Sequence, residues 1–373
     1  MRRRIVAVVG ARPNFMKMAP VIRALEGRGD LFECSVVHTG QHYDAALSRV
    51  FLDELSLGDP DVYLGIGSGS HGQQIARVVE RLEPVLAELE PDLVLVAGDV
   101  NSTLGAALAA STLRLRLGHV EAGLRSFDSS MPEETNRRVT DALSQLLFTH
   151  SPEARNNLLR EGLPETSIYE VGNTMIDTLV AMRERIAAEC AAERHGLAVG
   201  EYLVATLHRP ALVDGPLLEH AFEQLEALSE ELDVVLPLHP RTRQALDTLG
   251  RRSRTRGLRL LEPLPYVEFL SLVADAQAVL TDSGGVQEET TYLGIPCFTL
   301  RDNTERPITV EVGTNVLLGL DPARIAAIPD LLSAARARPA AVPPLWDGRA
   351  AERIADALAE VPPREAVPLV VEN

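Results

Sequence analysis

Cysteine is scarce in this sequence. Cys34, Cys190 and Cys297 are the three in 373 residues, too few and too scattered for a disulfide framework or a metal knot, so buried thiols are expected. Positive charge is also short: 36 Lys and Arg stand against 53 Asp and Glu, giving a formal net charge of −17 and a pI near 5.0. Nucleic-acid binding runs on basic surfaces that displace phosphate counterions, so this balance argues against a nucleic-acid partner. Any anionic ligand must meet local positive charge. Long apolar runs are missing too. Ile5 to Val9 follows Arg2-Arg3-Arg4 but is too short for a signal peptide, and no later stretch approaches membrane-spanning length. The expectation is a cytoplasmic protein with no membrane partner. Metal signatures are incomplete. His119-Val120-Glu121 starts like a zinc deaminase site, but no Pro-Cys-x-x-Cys follows at Pro296-Cys297 and there is no HExxH, so no metal is expected.

What the chain does have is hydrophobic content of 46%, enough for two domains of ordinary size. Short Val/Leu/Ile runs alternate with amphipathic stretches, the pattern of βαβ units in an α/β fold with parallel sheets. The first half offers strands at 5–9, 34–38, 93–97, 117–120, 146–148 and 168–171. The pattern restarts at 202–206, 234–238, 258–261, 279–281, 297–300 and 316–318. A helical link over 174–195 separates the halves. The predicted domains are therefore 1–171 and 172–361, the last helix (348–360) being a candidate to pack back on the first domain, with a flexible tail at 362–373. Two such halves facing across a cleft would turn both sets of strand carboxyl ends toward one ligand.

The stretch Thr281 to Pro307 reads TDSGGVQEETTYLGIPCFTLRDNTERP. A buried strand ends at Thr281, and Ser283-Gly284-Gly285 turns the chain into a helix. Unpaired N–H groups at that helix start, with glycines that let a ligand approach, suit a diphosphate. Glu289, one turn in, suits ribose hydroxyls, and Arg306 adds a bidentate charge. Ser-Gly-Gly by itself is also an ordinary strand-to-helix turn.

Other strand-end loops carry charge. Gly10-Ala11-Arg12-Pro13-Asn14-Phe15-Met16-Lys17 brings Arg12 and Lys17 where a dinucleotide fold would carry its glycine fingerprint. A literal G-x-G-x-x-G at Gly67, Gly69 and Gly72 lies outside the first βαβ unit and reads as a loop entering a helix, so no nicotinamide site is predicted. Asp99 follows one strand and Glu121 another; each is a candidate catalytic acid, and Asp99 is equally a candidate helix cap. Glu133, after Met131-Pro132, is a third acid, though Pro followed by Glu also starts ordinary helices. His208-Arg209 and His239-Pro240-Arg241 each put His and Arg at a strand end, suited to phosphate and sugar contacts.

Taken together these pieces resemble the non-hydrolysing UDP-N-acetylglucosamine 2-epimerases over nearly the whole chain. The matching segments are GARPNFMKMAP (10–20), TGQH (39–42), PDLVLVAGDVNSTL (91–104), GHVEAGLRS (118–126), MPEETNR (131–137), VGNTMIDTL (171–179), TDSGGVQEE (281–289) and RDNTERP (301–307). The resemblance implies two Rossmann-like domains in a GT-B-like architecture, a homodimer, and no metal or nicotinamide cofactor. It implies that Asp99, Glu121 and Glu133 are the essential carboxylates. Arg12, Lys17 and His208 become phosphate-side residues, with His208 also a catalytic candidate, and Ser283, Gly284, Gly285, Glu289 and Arg306 become UDP contacts. Arg125, Arg209, His239 and Phe269 complete the candidate substrate-binding set. This chain has Asn14 where better-known bacterial members have Glu, a shorter loop between Arg125 and Pro132, and Gln41-His42-Tyr43-Asp44 where many carry Gln-His-Arg-Glu for a second UDP-GlcNAc.

The implied reaction interconverts UDP-GlcNAc and UDP-ManNAc by eliminating UDP to a 2-acetamidoglucal and adding it back with inversion at C2. The alternatives carried from the sequence are a 2-epimerase of a modified UDP-HexNAc such as a 2,3-diacetamido uronic acid, a hydrolysing epimerase releasing ManNAc, a GT-B glycosyltransferase, and a silent UDP-sugar sensor.

Overall fold

The computed structural model describes residues 2–40, 54–55, 57–251, 257–337 and 341–362; the Gln41 to Asp44 run, and the predicted tail beyond Pro362, lie outside the described residues. The chain divides into two compact units, one comprising the chain through Thr178 together with the return segment from Pro344, the other running Leu179–Pro343.

The first unit holds seven parallel strands: β1 (Arg3–Val9), β2 (Phe32–His38), β3 (Val62–Tyr63), β4 (Leu93–Ala97), β5 (Leu117–Val120), β6 (Leu146–Thr149) and β7 (Ile168–Glu170). They lie in the order β3-β2-β1-β4-β5-β6-β7, with Ile5 registered against Cys34 on one side and Leu93 on the other. The runs read as continuous Val, Leu and Ala because helices cover both faces of such a sheet; all five residues of β4 are buried. Two-residue β3 is too short to carry a hydrophobic pattern, so the sequence does not announce it.

The second unit repeats the plan with β8 (Tyr202–Thr206), β9 (Asp233–Pro237), β10 (Leu258–Leu261), β11 (Ala278–Thr281), β12 (Cys297–Thr299) and β13 (Asn315–Leu317), ordered β10-β9-β8-β11-β12-β13. In each sheet the winding reverses once, between β1 and β4 in the first and between β8 and β11 in the second. Loops diverge at the carboxyl side of such a switch point and leave room for a ligand. The Gly10, Gly98, His208 and Ser283 loops all leave from these four strands.

The return segment completes the first unit. Its helix Ala350–Glu360 packs on the helix Arg12–Glu26. Trp346, the one tryptophan of the sequence, is 1% exposed and donates from Nε1 to the His150 carbonyl at 2.9 Å. At the start of the return helix the Ala350 and Ala351 N–H groups donate to the two carboxylate oxygens of buried Asp177, at 3.1 and 2.6 Å. Burial pushes the Asp177 carboxyl up to about 6, with the charge of Asp347 adding to the shift and the two N–H donors opposing it.

Two sequence expectations change. The single linking helix is three, at Thr174–Ala181, Arg183–Glu189 and Ala191–Arg194: Met182, at φ −98° and ψ 0°, makes the first break, and Cys190 takes a left-handed φ of +49° that ends the second helix and opens the third. That turn also exposes Cys190, so only Cys297 is fully buried while Cys34 is half-buried. Burial raises the Cys297 thiol to about 11 and the Cys34 thiol to about 12. The Gly67 to Gly72 stretch leads into the helix His71–Leu89, where Ser70 caps the end by accepting from the Gln73 N–H at 3.4 Å. Among the described residues no helix is long and apolar enough to cross a membrane, and no cluster of His, Cys, Asp and Glu is placed to hold a metal ion.

Candidate active site

In the first unit the β5 strand delivers Glu121 at a left-handed φ of +69°, an unfavourable conformation for a side-chain-bearing residue that must be held by its surroundings. The holding group is Lys17, from the first helix, whose ammonium pairs with the Glu121 carboxylate; both side chains are more than nine-tenths buried. Gly98, at the end of β4, makes room for this pair. A Cβ there would stand 2.9 Å from Lys17 Nζ and 3.2 Å from Glu121 Oε2, on a backbone with φ +65°. Asn14 fixes the same corner, donating to the Ala97 carbonyl at 2.6 Å and accepting from the Ala11 N–H at 3.3 Å. The side chain of Arg12 lies outside what is described.

Asp99 does not cap the following helix. Val100 occupies that position, and the Asp99 carboxylate instead takes Arg137 Nε at 3.0 Å while staying partly open to solvent. Arg137 also pairs with Glu134, which is buried and accepts from the Ser126 N–H and the Ser126 hydroxyl, each at 2.8 Å. Its neighbour Glu133 is half-buried, and no hydrogen bond or ion pair to it occurs among the described residues. Of the two adjacent glutamates, therefore, Glu134 is committed to holding the 126–127 loop and Glu133 is available. Sequence spacing alone could not separate them.

Arg125 is turned to the interior. It is 2% exposed, forms a two-pronged contact with Glu161 at 2.7 and 2.8 Å, and meets Asp141 at 2.8 Å. Burial alone would lower its basicity, but the Glu161 and Asp141 contacts outweigh that and raise it. Asp141 also lies 2.7 Å from His119 Nδ1, and His119 Nε2 lies 2.8 Å from the Gly98 carbonyl. This chain braces the Gly98-Asp99 turn from below. Asp141 and Glu134 escape sequence reading because each looks like an ordinary polar position of an amphipathic helix.

In the second unit the helix Gly284–Leu293 starts directly after β11, and no side chain caps its first N–H groups. Gly284 is there for space: a Cβ would lie 2.5 Å from Arg306 Nη1, so only glycine lets the guanidinium cross the helix start. Arg306 is held by buried Glu288 at 2.9 Å and by Glu305 at 3.4 Å. Glu305 also receives both arms of Arg301, at 2.7 and 3.0 Å, and faces Arg209 at 3.9 Å. Burial would raise the Glu305 carboxyl, yet Arg301, Arg306 and Arg209 together hold it well below the usual range. Arg209 is lowered from its ordinary value by burial and then by the repulsion of Arg301. Three guanidinium groups thus share two carboxylates beside an uncapped helix start, which favours an anion.

Ser283 and Gly285 flank this start half-buried. Glu289 is 3% exposed and accepts from the Tyr266 hydroxyl at 2.8 Å. His208 Nδ1 lies 2.7 Å from Asp282 Oδ1, and its ring stands 5.6 Å from that of exposed His239, which caps the helix Pro240–Thr248 by accepting from the Arg241 N–H at 3.2 Å. Phe269 is partly buried against the apolar cluster of Tyr202, Val279 and Leu272. Asp282, Arg301 and Glu305 lie inside the TDSGG and RDNTER segments, where nothing in the sequence sets them apart from their neighbours.

The family model described as UDP-N-acetylglucosamine 2-epimerase matches residues 23–359. A UDP-N-acetylglucosamine 2-epimerase of Methanococcus maripaludis is 41% identical over 331 residues, covering 86% of this chain and 89% of its own. The UDP-2,3-diacetamido-2,3-dideoxy-D-glucuronate 2-epimerase of Pseudomonas aeruginosa is also 41% identical, over 321 residues, 85% of this chain and 88% of its own. Among solved structures, the Methanocaldococcus jannaschii UDP-GlcNAc 2-epimerase in complex with UDP-GlcNAc and UDP superposes with a TM-score of 0.86 at 39% identity, covering 95% of this chain and 99% of that one. With carboxylates gathered at one switch point, guanidinium groups at the other, and relatives of this identity over nearly full length, the chain belongs to the UDP-N-acetylglucosamine 2-epimerase family of isomerases.

Proposed function

We propose that the protein interconverts UDP-GlcNAc and UDP-ManNAc. Hydrogen at C2 of an acetamido sugar is not next to a carbonyl, so simple deprotonation faces a high barrier. Departure of UDP from C1 gives the anomeric carbon oxocarbenium character and acidifies that hydrogen. A carboxylate takes the proton, leaving 2-acetamidoglucal and UDP. Protonation of C2 from the opposite face, with return of UDP to C1, completes the inversion. Asp99, Glu121 and Glu133 are assigned this proton chemistry, with Lys17 and Arg12 on the phosphate side. Ser283, Gly284, Gly285, Glu289, Arg209 and Arg306 are assigned the nucleotide, and His208 and His239 stand beside them. The observation that carries the reading is the pair of guanidinium-lined helix start and strand-end carboxylates in a chain whose relatives carry this activity by name.

The test is incubation with UDP-GlcNAc alone in deuterated water. UDP-ManNAc carrying deuterium at C2 supports the reading, and retention of the original hydrogen overturns elimination. The Pseudomonas relative motivates a parallel arm with UDP-2,3-diacetamido-2,3-dideoxy-D-glucuronate, since it matches this chain at the same 41%. Turnover of that sugar alone would move the assignment to the uronic acid. We further propose a homodimer, to be checked by light scattering on the eluting protein.

A further inference from the structure

We infer that Asp282 is a positioning residue that keeps the proton of His208 on Nδ1 and presents Nε2 outward as the proton-accepting atom. This rests on the proposed reading of the site for its catalytic part only. The geometry begins with the sheet: Thr206 of β8 and Thr281 of β11 are register partners, their hydroxyls 2.7 Å apart, so the residues just beyond them are forced together. Asp282 emerges at 1% exposure. Its Oδ2 accepts from the backbone N–H groups of His208 and Arg209, each at 2.8 Å, while its Oδ1 stands 2.7 Å from His208 Nδ1.

Burial would raise this carboxyl, but its contacts with His208 and with the two N–H groups outweigh burial and hold it below the ordinary carboxylate range. An ionised carboxylate has no proton to give and repels a nitrogen lone pair, so charge favours the proton on the ring nitrogen 2.7 Å from it. His208 is 37% exposed at its side chain, which leaves Nε2 as the nitrogen open to a ligand. Among the described residues, the charged or titratable groups around the ring are Asp282 across β11, His239 at the end of β9, and Arg209 next in sequence, itself surrounded by Arg301, Arg306 and Glu305.

Asp282→Asn isolates this role. The amide oxygen can still accept from the two backbone N–H groups, so the loop keeps its shape. The amide nitrogen then faces His208 Nδ1 as a donor, which drives the ring proton to Nε2. Nε2 then carries the ring proton and can no longer accept one. Nitrogen-15 spectra of the histidine rings, with His208 assigned by its loss in His208→Gln, should show neutral His208 protonated at Nδ1 in the wild type and at Nε2 in Asp282→Asn. Epimerase turnover in Asp282→Asn should fall by about a hundredfold, the scale of a lost proton carrier, while UDP affinity changes by less than about threefold. A wild-type spectrum with neutral His208 protonated at Nε2 overturns the inference, and needs no variant at position 282 to fold. Turnover of Asp282→Asn within about threefold of wild type overturns the catalytic role. Absence of any turnover in the wild type strikes the epimerase reading, while the wild-type spectrum still decides the tautomer.

Discussion

The two switch points are built with opposite charge. At the switch point of the first unit, Asp99, Glu121 and Glu134 meet Lys17 and Arg137, so among the described side chains carboxylates are in excess. At β8 and β11 of the second, Arg209, Arg301 and Arg306 meet Glu288 and Glu305, so guanidinium groups are in excess. The same winding therefore supports proton chemistry in one copy and anion binding in the other. In a chain of net charge −17, the second arrangement cannot come from composition and has to be built by local pairing.

The sharpest break of this comparison is to neutralise the carboxylate side. Asp99→Asn, Glu121→Gln and Glu133→Gln should each lower turnover by roughly a hundredfold or more while UDP affinity survives. Steady-state rates paired with calorimetric UDP titration check this, and near-normal turnover in all three would remove the catalytic assignment. The matching experiment on the guanidinium side is Gly284→Ala. Its methyl group displaces Arg306 from the helix start, and UDP affinity should weaken by roughly ten- to a hundredfold, the worth of a charge-assisted hydrogen bond. An unchanged dissociation constant would show that Arg306 does not touch the nucleotide.

Neighbouring glutamates sharpen the contrast between committed and available acids. Glu134→Gln should cost about 1–3 kcal/mol of stability, since it disturbs a buried acceptor shared by Ser126 and Arg137, whereas Glu133→Gln should leave the melting temperature nearly unchanged. A smaller effect follows from Asp177. Its carboxyl is near 6 when folded against 3.8 for the free group, so the folded state binds the extra proton. The stability this provides is complete below about pH 4 and is lost as pH rises through about 6, at a slope of no more than about 1.4 kcal/mol per pH unit. Unfolding followed by Trp346 fluorescence should show this slope in the wild type and its absence in Asp177→Asn.

Much of this was legible beforehand, for a physical reason. Strands buried on both faces must be written as largely apolar runs, so β1, β4, β5, β8 and β11 stand out of the sequence, and with them the loops that follow. What was not legible is direction. Arg125 reads as a ligand-binding cation, yet it turns inward to Glu161 and Asp141; Glu133 and Glu134 read alike, yet one is tied down. The single helix expected over 174–195 breaks because a left-handed residue at Cys190 carries no signal of its own. Partners distant in sequence decide all of these, as they do for Asp282 and His208.

The return of the chain after Pro344 orders events during synthesis. The sheet of the first unit is made by residue 170, but Asp177 receives its two N–H donors, and the helix Arg12–Glu26 its neighbour, only after the helix ending at Glu360 has been translated. The entire second unit is made in between. Nascent first-unit chains therefore wait for the ribosome with one apolar helix face uncovered, and a message cut short before codon 350 leaves that unit unfinished however well the second one has folded.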